Sequence, residues 1–252
     1  SDSRMEENNV KELNQLSISY NRMLERLSDA FEVQRQFTAN AAHELRTPLT
    51  LMQVQLDLYN SSGHPGNDED TLQTIKMVTE QSDRLNKMVK TLLDMSELQT
   101  VGRDDKIMIA AVVEEVLVDL EPLAQEKNIR LIGKCGDITM MGSDILIYRM
   151  LYNLVENAIK YNKKGGSVTV TVLNTRNQIC LSVCDTGIGI TAAEKSRVFE
   201  RFYRVDKSHS KEIGGTGLGL SIVKHGAAYL GAKVELESTI NKGSTFRLIW
   251  QK

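Results

Sequence analysis

The first hundred residues show the apolar spacing of long helices. Over residues 8–60, apolar and small side chains recur every three or four positions, which is typical of a coiled-coil or bundle seam. Glycine, proline and acidic residues then predict a loop over 61–70, and a second helix with its own apolar stripe follows. The first seam consists of Val10, Leu13, Ser17, Tyr20, Leu24, Leu27 and Phe31, and the second stripe of Leu72, Ile75, Val78, Leu85, Val89 and Leu92.

These two helices predict a dimer. A single antiparallel hairpin leaves part of its apolar stripe uncovered, whereas two hairpins paired into a four-helix bundle bury it. Continuing the first register places Ala41 and Leu45 in the seam and His43 on the outer face. Taken alone, His43 is most simply interpreted as an ordinary surface histidine.

From about residue 106 the pattern changes to short strands alternating with helices. "SVTVTV" has the period of two that indicates a strand with one buried face. This half is predicted to be an α/β two-layer sandwich, in which a layer of helices covers a largely antiparallel or mixed sheet. Together with the helical hairpin, it makes the chain multi-domain. A short strand is predicted from about residue 106, and further strands at "RLIGKC", "SVTVTVLNT", "QICLSVCDT", "AKVELEST" and "STFRLIW". Helices are predicted between the first two strands and over about 143–162 and 217–230.

Composition narrows the classes of function. With 31 basic and 33 acidic residues the net charge is -2, which gives no electrostatic argument for direct nucleic-acid binding. The three cysteines lack CxxC spacing, which favours reduced thiols over a disulfide framework or a zinc site. No stretch approaches the roughly 18 consecutive apolar residues that a membrane-spanning helix needs.

The segment "NLVENAIKY", residues 153–161, carries the first candidate chemistry. Asn153 and Asn157 are four residues apart and share a helix face, with Lys160 and Tyr161 close to it. Amide oxygens can hold a hard cation such as Mg²⁺ together with phosphate oxygens, and a lysine supplies positive charge to phosphate. Considered alone, paired helical asparagines are more often ordinary surface residues.

Two glycine-containing turns add a possible ligand pocket. In "DTGIGI", Asp185 follows a predicted strand and can accept a hydrogen bond from an exocyclic amine, while Gly187 and Gly189 let the backbone approach a ligand. In "GGTGLGL", residues 214–220, glycines precede a helix whose N-terminal N–H groups and dipole favour an anion such as phosphate. Each turn by itself is a weak signal.

The segment "VFERFYRVDKSHSKEI" lies between these two turns. Phe199 and Phe202 are three residues apart and could dock the segment reversibly, as in a mobile lid. A packed helix end followed by a solvated loop is nearly as plausible. Its cations, which would face the bound anion, are Arg201, Arg204, Lys207 and Lys211.

The order of the segments is more specific than any one of them. The series "FTANAAHELRTPL", "NLVENAIKY", "DTGIGI", "FERFYR" and "GGTGLGL" resembles the H, N, G1, F and G2 boxes of bacterial sensor histidine kinases. The segment "NNVKELNQLSISYNRMLERL" resembles the last helix of a HAMP linker. The resemblance implies a HAMP-like linker over 1–30, a dimerisation and histidine phosphotransfer hairpin over 31–102, and a Bergerat-type ATP-binding domain over 103–252.

The resemblance also implies roles for individual residues. His43 would be the phosphoacceptor, Glu44 would take its proton, and Thr47 would position a water for dephosphorylation of a response regulator. Asn157 would coordinate Mg²⁺. The nucleotide-binding residues implied are Asn153, Asn157, Lys160, Tyr161, Asp185, Gly187, Gly189, Arg204, Gly215, Gly217, Leu218 and Gly219.

The expected function is therefore ATP-dependent autophosphorylation of a histidine in a homodimer, with transfer to an aspartate of a response regulator and phosphatase activity toward it. The chain would be the cytoplasmic portion of a membrane-anchored protein. Two other classes stay open: a non-enzymatic dimeric scaffold, and an ATPase or chaperone built on the same sandwich. Pro48 lacks an N–H and opposes the carbonyl of residue 44, which predicts a hinge beside His43.

Overall fold

The computed structural model describes residues 11–61, 68–97, 101–205 and 217–252. The chain divides into two compact units, Ser1–Asn86 and Lys87–Lys252. Helix α1 spans Lys11–Ser61, and helix α2 spans Asp68–Glu97.

Helices α1 and α2 form an antiparallel hairpin. Gln55 Nε2 donates to Thr74 Oγ1 at 3.4 Å, and the hydroxyls of Tyr59 and Thr71 are 2.8 Å apart. As the residue number rises on α1, that of its partner on α2 falls, which fixes the antiparallel direction. The predicted helical hairpin is confirmed.

Helix α1 continues through Pro48, which is buried. Proline has no N–H to donate to the carbonyl of Glu44, so one helical hydrogen bond is necessarily absent there. The helix is weakened at this point without being interrupted. The hinge stays a prediction.

Apolar side chains cover much of the hairpin's outer surface. Large apolar residues on both helices have 44 to 67% of their surface exposed. Exposed apolar area of this extent is typical of a surface that binds a partner. These residues are Leu16, Met23, Leu27, Phe31, Leu49, Leu51, Val54, Leu56, Leu58, Leu72 and Ile75.

The second unit contains a five-stranded sheet covered by helices, which confirms the predicted α/β sandwich. One short strand, β3, was missed because its four residues carry no clear alternation. The elements are β1 (Asp105–Met108), α3 (Ile109–Glu126), β2 (Arg130–Cys135), β3 (Thr139–Gly142), α4 (Asp144–Lys160), β4 (Ser167–Asn174), β5 (Gln178–Asp185), a 3₁₀ turn (Arg197–Phe199), α5 (Gly219–Tyr229), β6 (Ala232–Thr239) and β7 (Gly243–Gln251).

The large sheet has the order β2-β4-β5-β7-β6 and is mixed, because β2 pairs parallel with β4 and the other pairs are antiparallel. Strands β1 and β3 form a separate antiparallel pair. Alternate residues Val168, Val170 and Val172 are buried against the helices, as their period of two predicts. This core fixes the ends of α4 and β5 and the β6–β7 turn, where the candidate site lies.

Candidate functional site

Asp185 stands at the end of β5 with one carboxylate oxygen already bonded. Its Oδ1 accepts the backbone N–H groups of Gly187 at 2.8 Å and Ser244 at 3.2 Å. Desolvation raises the pKa of Asp185, and these two hydrogen bonds oppose that rise. Within the described residues Oδ2 receives no hydrogen bond, so an oriented acceptor is available to a ligand amine.

The turn after Asp185 packs so closely that it requires glycine. Ile188 N–H donates to the carbonyl of Tyr161 at 3.1 Å, which brings the turn against the end of α4. A Cβ on Gly187 would lie 2.3 Å from that same carbonyl oxygen. Gly189 has φ +72°, and its Cβ would lie 2.2 Å from the carbonyl oxygen of Thr239.

Helix α4 places the two predicted asparagines in different surroundings. Asn153 Nδ2 donates to the Arg149 carbonyl at 2.7 Å, and a Cβ on Gly219 would lie 2.6 Å from Asn153 Oδ1. The structure therefore brings Asn153 against the first residue of α5. Asn157 is half-buried, and its amide makes no hydrogen bond to another described side chain. This amide is free to bind a cation or a ligand.

Lys160 and Tyr161 end helix α4. Lys160 Nζ pairs with Glu156 at 2.8 Å, and only 20% and 27% of the two side chains are exposed. To bind phosphate, Lys160 would have to leave this ion pair. The side chain of Tyr161 is 37% exposed, and its backbone N–H caps the helix by bonding to Asn157.

Phe199, at the end of the 3₁₀ turn, and Phe202, just after it, each contact another part of this unit. The ring of Phe199 packs edge-on against Phe246 of β7, with ring centroids 6.1 Å apart. Phe202 N–H donates to the Gly217 carbonyl at 2.9 Å, and a Cβ on Gly217, which has φ +69°, would collide with the Phe202 backbone. Arg204 is half-buried and Leu218 is buried.

Three predicted residues of this region fall outside the described ranges, which end at 205 and resume at 217. They are Lys207, Lys211 and Gly215.

The phosphoacceptor candidate lies on the hairpin unit. His43 is exposed on α1, as its register predicted. Thr47 Oγ1 donates to the His43 carbonyl at 3.2 Å, so both residues lie on one helix face. Glu44 Oε2 lies 3.8 Å from Arg84 on α2. The acidic neighbour of His43 is thereby restrained by a cation.

The donor chemistry fits a cation held jointly with phosphate. The described part of the chain contains no group of three or more histidine, cysteine, aspartate or glutamate side chains that could hold a metal ion. Mg²⁺ typically binds one or two protein oxygens together with substrate phosphates and waters. The amide of Asn157 suits this mode of binding.

Among the described helices, none has a stretch apolar and long enough to cross a bilayer.

Several site residues carried no recognisable sequence signal. Ser244 bonds Asp185 although 59 positions separate them, and Gly243 with φ +109° allows that approach. Ser238 on β6 accepts the backbone N–H of Ile190, and Thr186, which stands within "DTGIGI" but was given no role there, accepts that of Ser167 at the start of β4. The sequence "NKGS" marks a turn, but only the β5–β7 register places it beside Asp185.

Two known families match the chain in series. Residues 33–101 match the family described as His Kinase A (phospho-acceptor) domain. Residues 142–252 match the family described as Histidine kinase-, DNA gyrase B-, and HSP90-like ATPase. Together they contain His43 and every nucleotide-site residue discussed above.

A curated protein and two solved structures are similar to this chain. Signal transduction histidine-protein kinase ArlS of Staphylococcus aureus strain USA300 is 34% identical over 252 residues, which cover 96% of this chain and 54% of ArlS. The chain thus spans about half the length of this relative. This chain is similar in fold to histidine kinase ThkA, which was solved in complex with response regulator protein TrrA. The TM-score is 0.68 at 24% identity, and the match covers 97% of this chain and 68% of ThkA. Full-length ShkA in complex with AMPPNP has a TM-score of 0.61 at 25% identity, over 85% of this chain and 45% of ShkA.

Proposed function

Since this chain belongs to the sensor histidine kinases and contains their phosphoacceptor and ATP-binding domains, we propose that it phosphorylates its own His43 from ATP. The observation that carries this proposal is the exposure of His43 on the helix of a chain that also has an ATP-binding domain. An ATPase or chaperone has no need of an exposed histidine on a separate hairpin.

The proposed ATP site is centred on Asp185. Its Oδ2 accepts a hydrogen bond from the adenine amine, and the glycine turn lets the base approach the backbone. Asn157 and the phosphates would hold Mg²⁺, which neutralises charge on the phosphates. Asn153, which lies against the first residue of α5, assists Asn157. Lys160, Tyr161, Arg204, Gly215, Gly217, Leu218 and Gly219 complete the nucleotide contacts in this proposal.

The chemistry requires little beyond positioning and charge neutralisation. An imidazole nitrogen of His43 attacks the γ-phosphorus, the bond to the bridging oxygen breaks, and ADP leaves. Glu44 takes the imidazole proton, and its pairing with Arg84 at 3.8 Å restrains the carboxylate. His43 is therefore the nucleophile and Glu44 the base.

The decisive test is labelling with γ-³²P-ATP and Mg²⁺. Wild type should gain an acid-labile, alkali-stable label, and His43→Gln should gain none while still binding ATP. Equal labelling of His43→Gln would overturn the proposal. Nucleotide hydrolysis without label would favour the ATPase, and failure to bind ATP would favour the scaffold. Mixing His43→Gln with Asn157→Ala chains distinguishes transfer within a subunit from transfer between subunits.

The hairpin is proposed to form a homodimer that serves a response regulator. The exposed apolar surface on α1 and α2 supports dimerisation, and a partner receiver domain is supported by the complex of ThkA with TrrA. Leu58→Glu combined with Leu72→Glu should yield monomers in sedimentation experiments. Val118→Glu, which changes an equally exposed apolar residue on the other unit, should leave the dimer intact.

A phosphatase activity toward the regulator is proposed for Thr47. Its exposed hydroxyl lies one turn from His43, where it can orient a water toward a bound aspartyl phosphate. Thr47→Ala should keep autophosphorylation and lose dephosphorylation of the regulator. Thr38→Ala is the matched control, because Thr38 on the same helix makes the same bond to a carbonyl four residues earlier, at 3.0 Å. Equal loss of both activities in Thr47→Ala would refute this division.

The remaining organisation is proposed from the resemblance. Residues 1–30 would end a HAMP-like linker, 31–102 would form the dimerisation domain, and 103–252 the catalytic domain. The full-length protein would be anchored in a membrane with this part in the cytoplasm. The 54% coverage of ArlS leaves room for such segments.

A further inference from the structure

The turn from Asp185 to Ile190 is fastened at each end by a side-chain hydroxyl. At its start, Thr186 Oγ1 accepts the backbone N–H of Ser167 at 2.9 Å and donates to Asn162 Oδ1 at 3.0 Å. At its end, Ser238 Oγ accepts the backbone N–H of Ile190 at 2.7 Å. Each hydroxyl therefore ties the turn to a different part of the sheet.

The Thr186 bridge joins the turn to the loop between α4 and β4. Asn162 Nδ2 donates to the Ser167 carbonyl at 3.1 Å, and Asn162 Oδ1 also accepts the N–H of Lys163 at 2.9 Å. A Cβ on Gly166 would lie 2.3 Å from Asn162 Oδ1 and 2.6 Å from Thr186 Oγ1. The bridge is thus closely packed, and glycine at 166 makes room for it.

The Ser238 bridge joins the turn to the β6–β7 hairpin. Ser238 Oγ donates to the Gly243 carbonyl at 3.1 Å and lies 2.9 Å from Ser244 Oγ. Ser244 is 7% exposed, and its N–H is one of the two that hold Asp185 Oδ1. The second, from Gly187, belongs to the turn itself. Both donors to Asp185 are consequently fixed by the two bridges.

We infer that Thr186 and Ser238 are positioning residues that aim Asp185 Oδ2 at the exocyclic amine of the bound purine. This inference rests on the proposed ATP site and assigns its base specificity to two hydroxyls that have no role in the motifs: Thr186 lies within "DTGIGI" beside Asp185, and Ser238 lies on β6. Their effect passes through the backbone donors that orient the carboxylate.

The test compares two ligands that differ only in that amine. Dissociation constants for ATP and purine riboside triphosphate are measured with Mg²⁺ on the full chain, for wild type, Thr186→Val and Ser238→Ala. Wild type should prefer ATP, and each variant should lose about fivefold of this preference, the equivalent of one hydrogen bond. Thr186→Ser and Ser238→Thr, which keep the hydroxyl, should restore it.

The preference is a ratio of affinities, so it does not change if a variant merely folds less completely. Ser182→Ala is the matched control, because the Ser182 hydroxyl bonds the Thr171 carbonyl at 3.4 Å in mid-sheet; it should leave the preference unchanged. If the variants weaken both ligands equally, or neither, the inference is wrong while the ATP site stands. If wild type itself shows no preference for ATP, the proposed role of Asp185 fails and the inference falls with it.

Discussion

Replacing Asp185 by asparagine should abolish tight ATP binding while leaving the folded protein at least as stable. The introduced amide could keep its oxygen on the N–H groups of Gly187 and Ser244, which now hold Asp185 Oδ1 at 2.8 and 3.2 Å. Its NH₂ group would then replace Oδ2 and place an N–H donor opposite the amine of adenine, which is also a donor, so no hydrogen bond could form. Losing a hydrogen bond to a charged acceptor costs about 1.5 to 3 kcal/mol, so ATP should bind roughly 10- to 150-fold more weakly.

The sign of the stability effect follows from the pKa of Asp185. Desolvation raises this pKa in the folded protein above the ordinary 3.8. The folded state then holds the proton of Asp185 more tightly than the unfolded chain does. Protonation of Asp185 therefore stabilises the folded state fully below pH 3.8, and this stabilisation is lost as pH rises through the folded-state pKa. At pH 7 the ionised carboxylate opposes folding, and a neutral amide removes that cost.

Both halves of this prediction can be measured on one sample. Isothermal titration gives ATP affinity, and fluorescence of Trp250, the single tryptophan and 7% exposed in this unit, reports unfolding. Asp137→Asn removes the same charge from an exposed loop and should change neither quantity. If Asp185→Asn bound ATP like wild type, Oδ2 would not be the purine acceptor. If it unfolded at a markedly lower temperature, the desolvation argument would be wrong.

Three further predictions concern stability of the same unit. Gly231→Ala, at φ +70° in open space, should lower the free energy of unfolding only by the left-handed backbone strain of about 1 to 2 kcal/mol. Gly189→Ala adds a steric clash and should lower it clearly more in urea unfolding, so equal losses would contradict the close packing. Desolvation and neighbouring cations lower the pKa of His225, so stability should be complete above pH 6.5 and fall as pH drops toward the folded-state pKa; a His225→Gln variant with the same acid slope would exclude this cause. Tyr148→Phe removes the 2.5 Å bond to Asp119 and should cost about 1 kcal/mol, discounted for solvent exposure; a loss no larger than in Tyr152→Phe would show that this bond contributes nothing.

Much of the fold was predictable because it follows local periodicity. The alternation in "SVTVTV" indicated a strand with a buried face, and three-four spacing indicated the hairpin helices, both of which the structure confirms. Strand β3 was missed because its pairing with β1 depends on a partner more than 30 residues earlier. The pair Lys160–Glu156 was not predicted, although its spacing of four is the one that brings opposite charges together on a helix.

Only the residues of the short motifs in the candidate site could be predicted from the sequence. Asp185 and the glycines stand in short ordered motifs, whereas the groups that orient them come from elsewhere in the chain. Ser244 reaches Asp185 through the register of β5 with β7, and Ser238 reaches Ile190 across 48 positions. Such partners are set by tertiary pairing, which no local pattern encodes.

The bond between Phe202 N–H and the Gly217 carbonyl has an evolutionary consequence. Because this bond already joins residues 202 and 217, the number of residues between them can change without displacing either one. Closing a loop twice as long costs only about 0.6 kcal/mol more. Residues can therefore be inserted or deleted here at little thermodynamic cost while Phe202 and Gly217 stay joined.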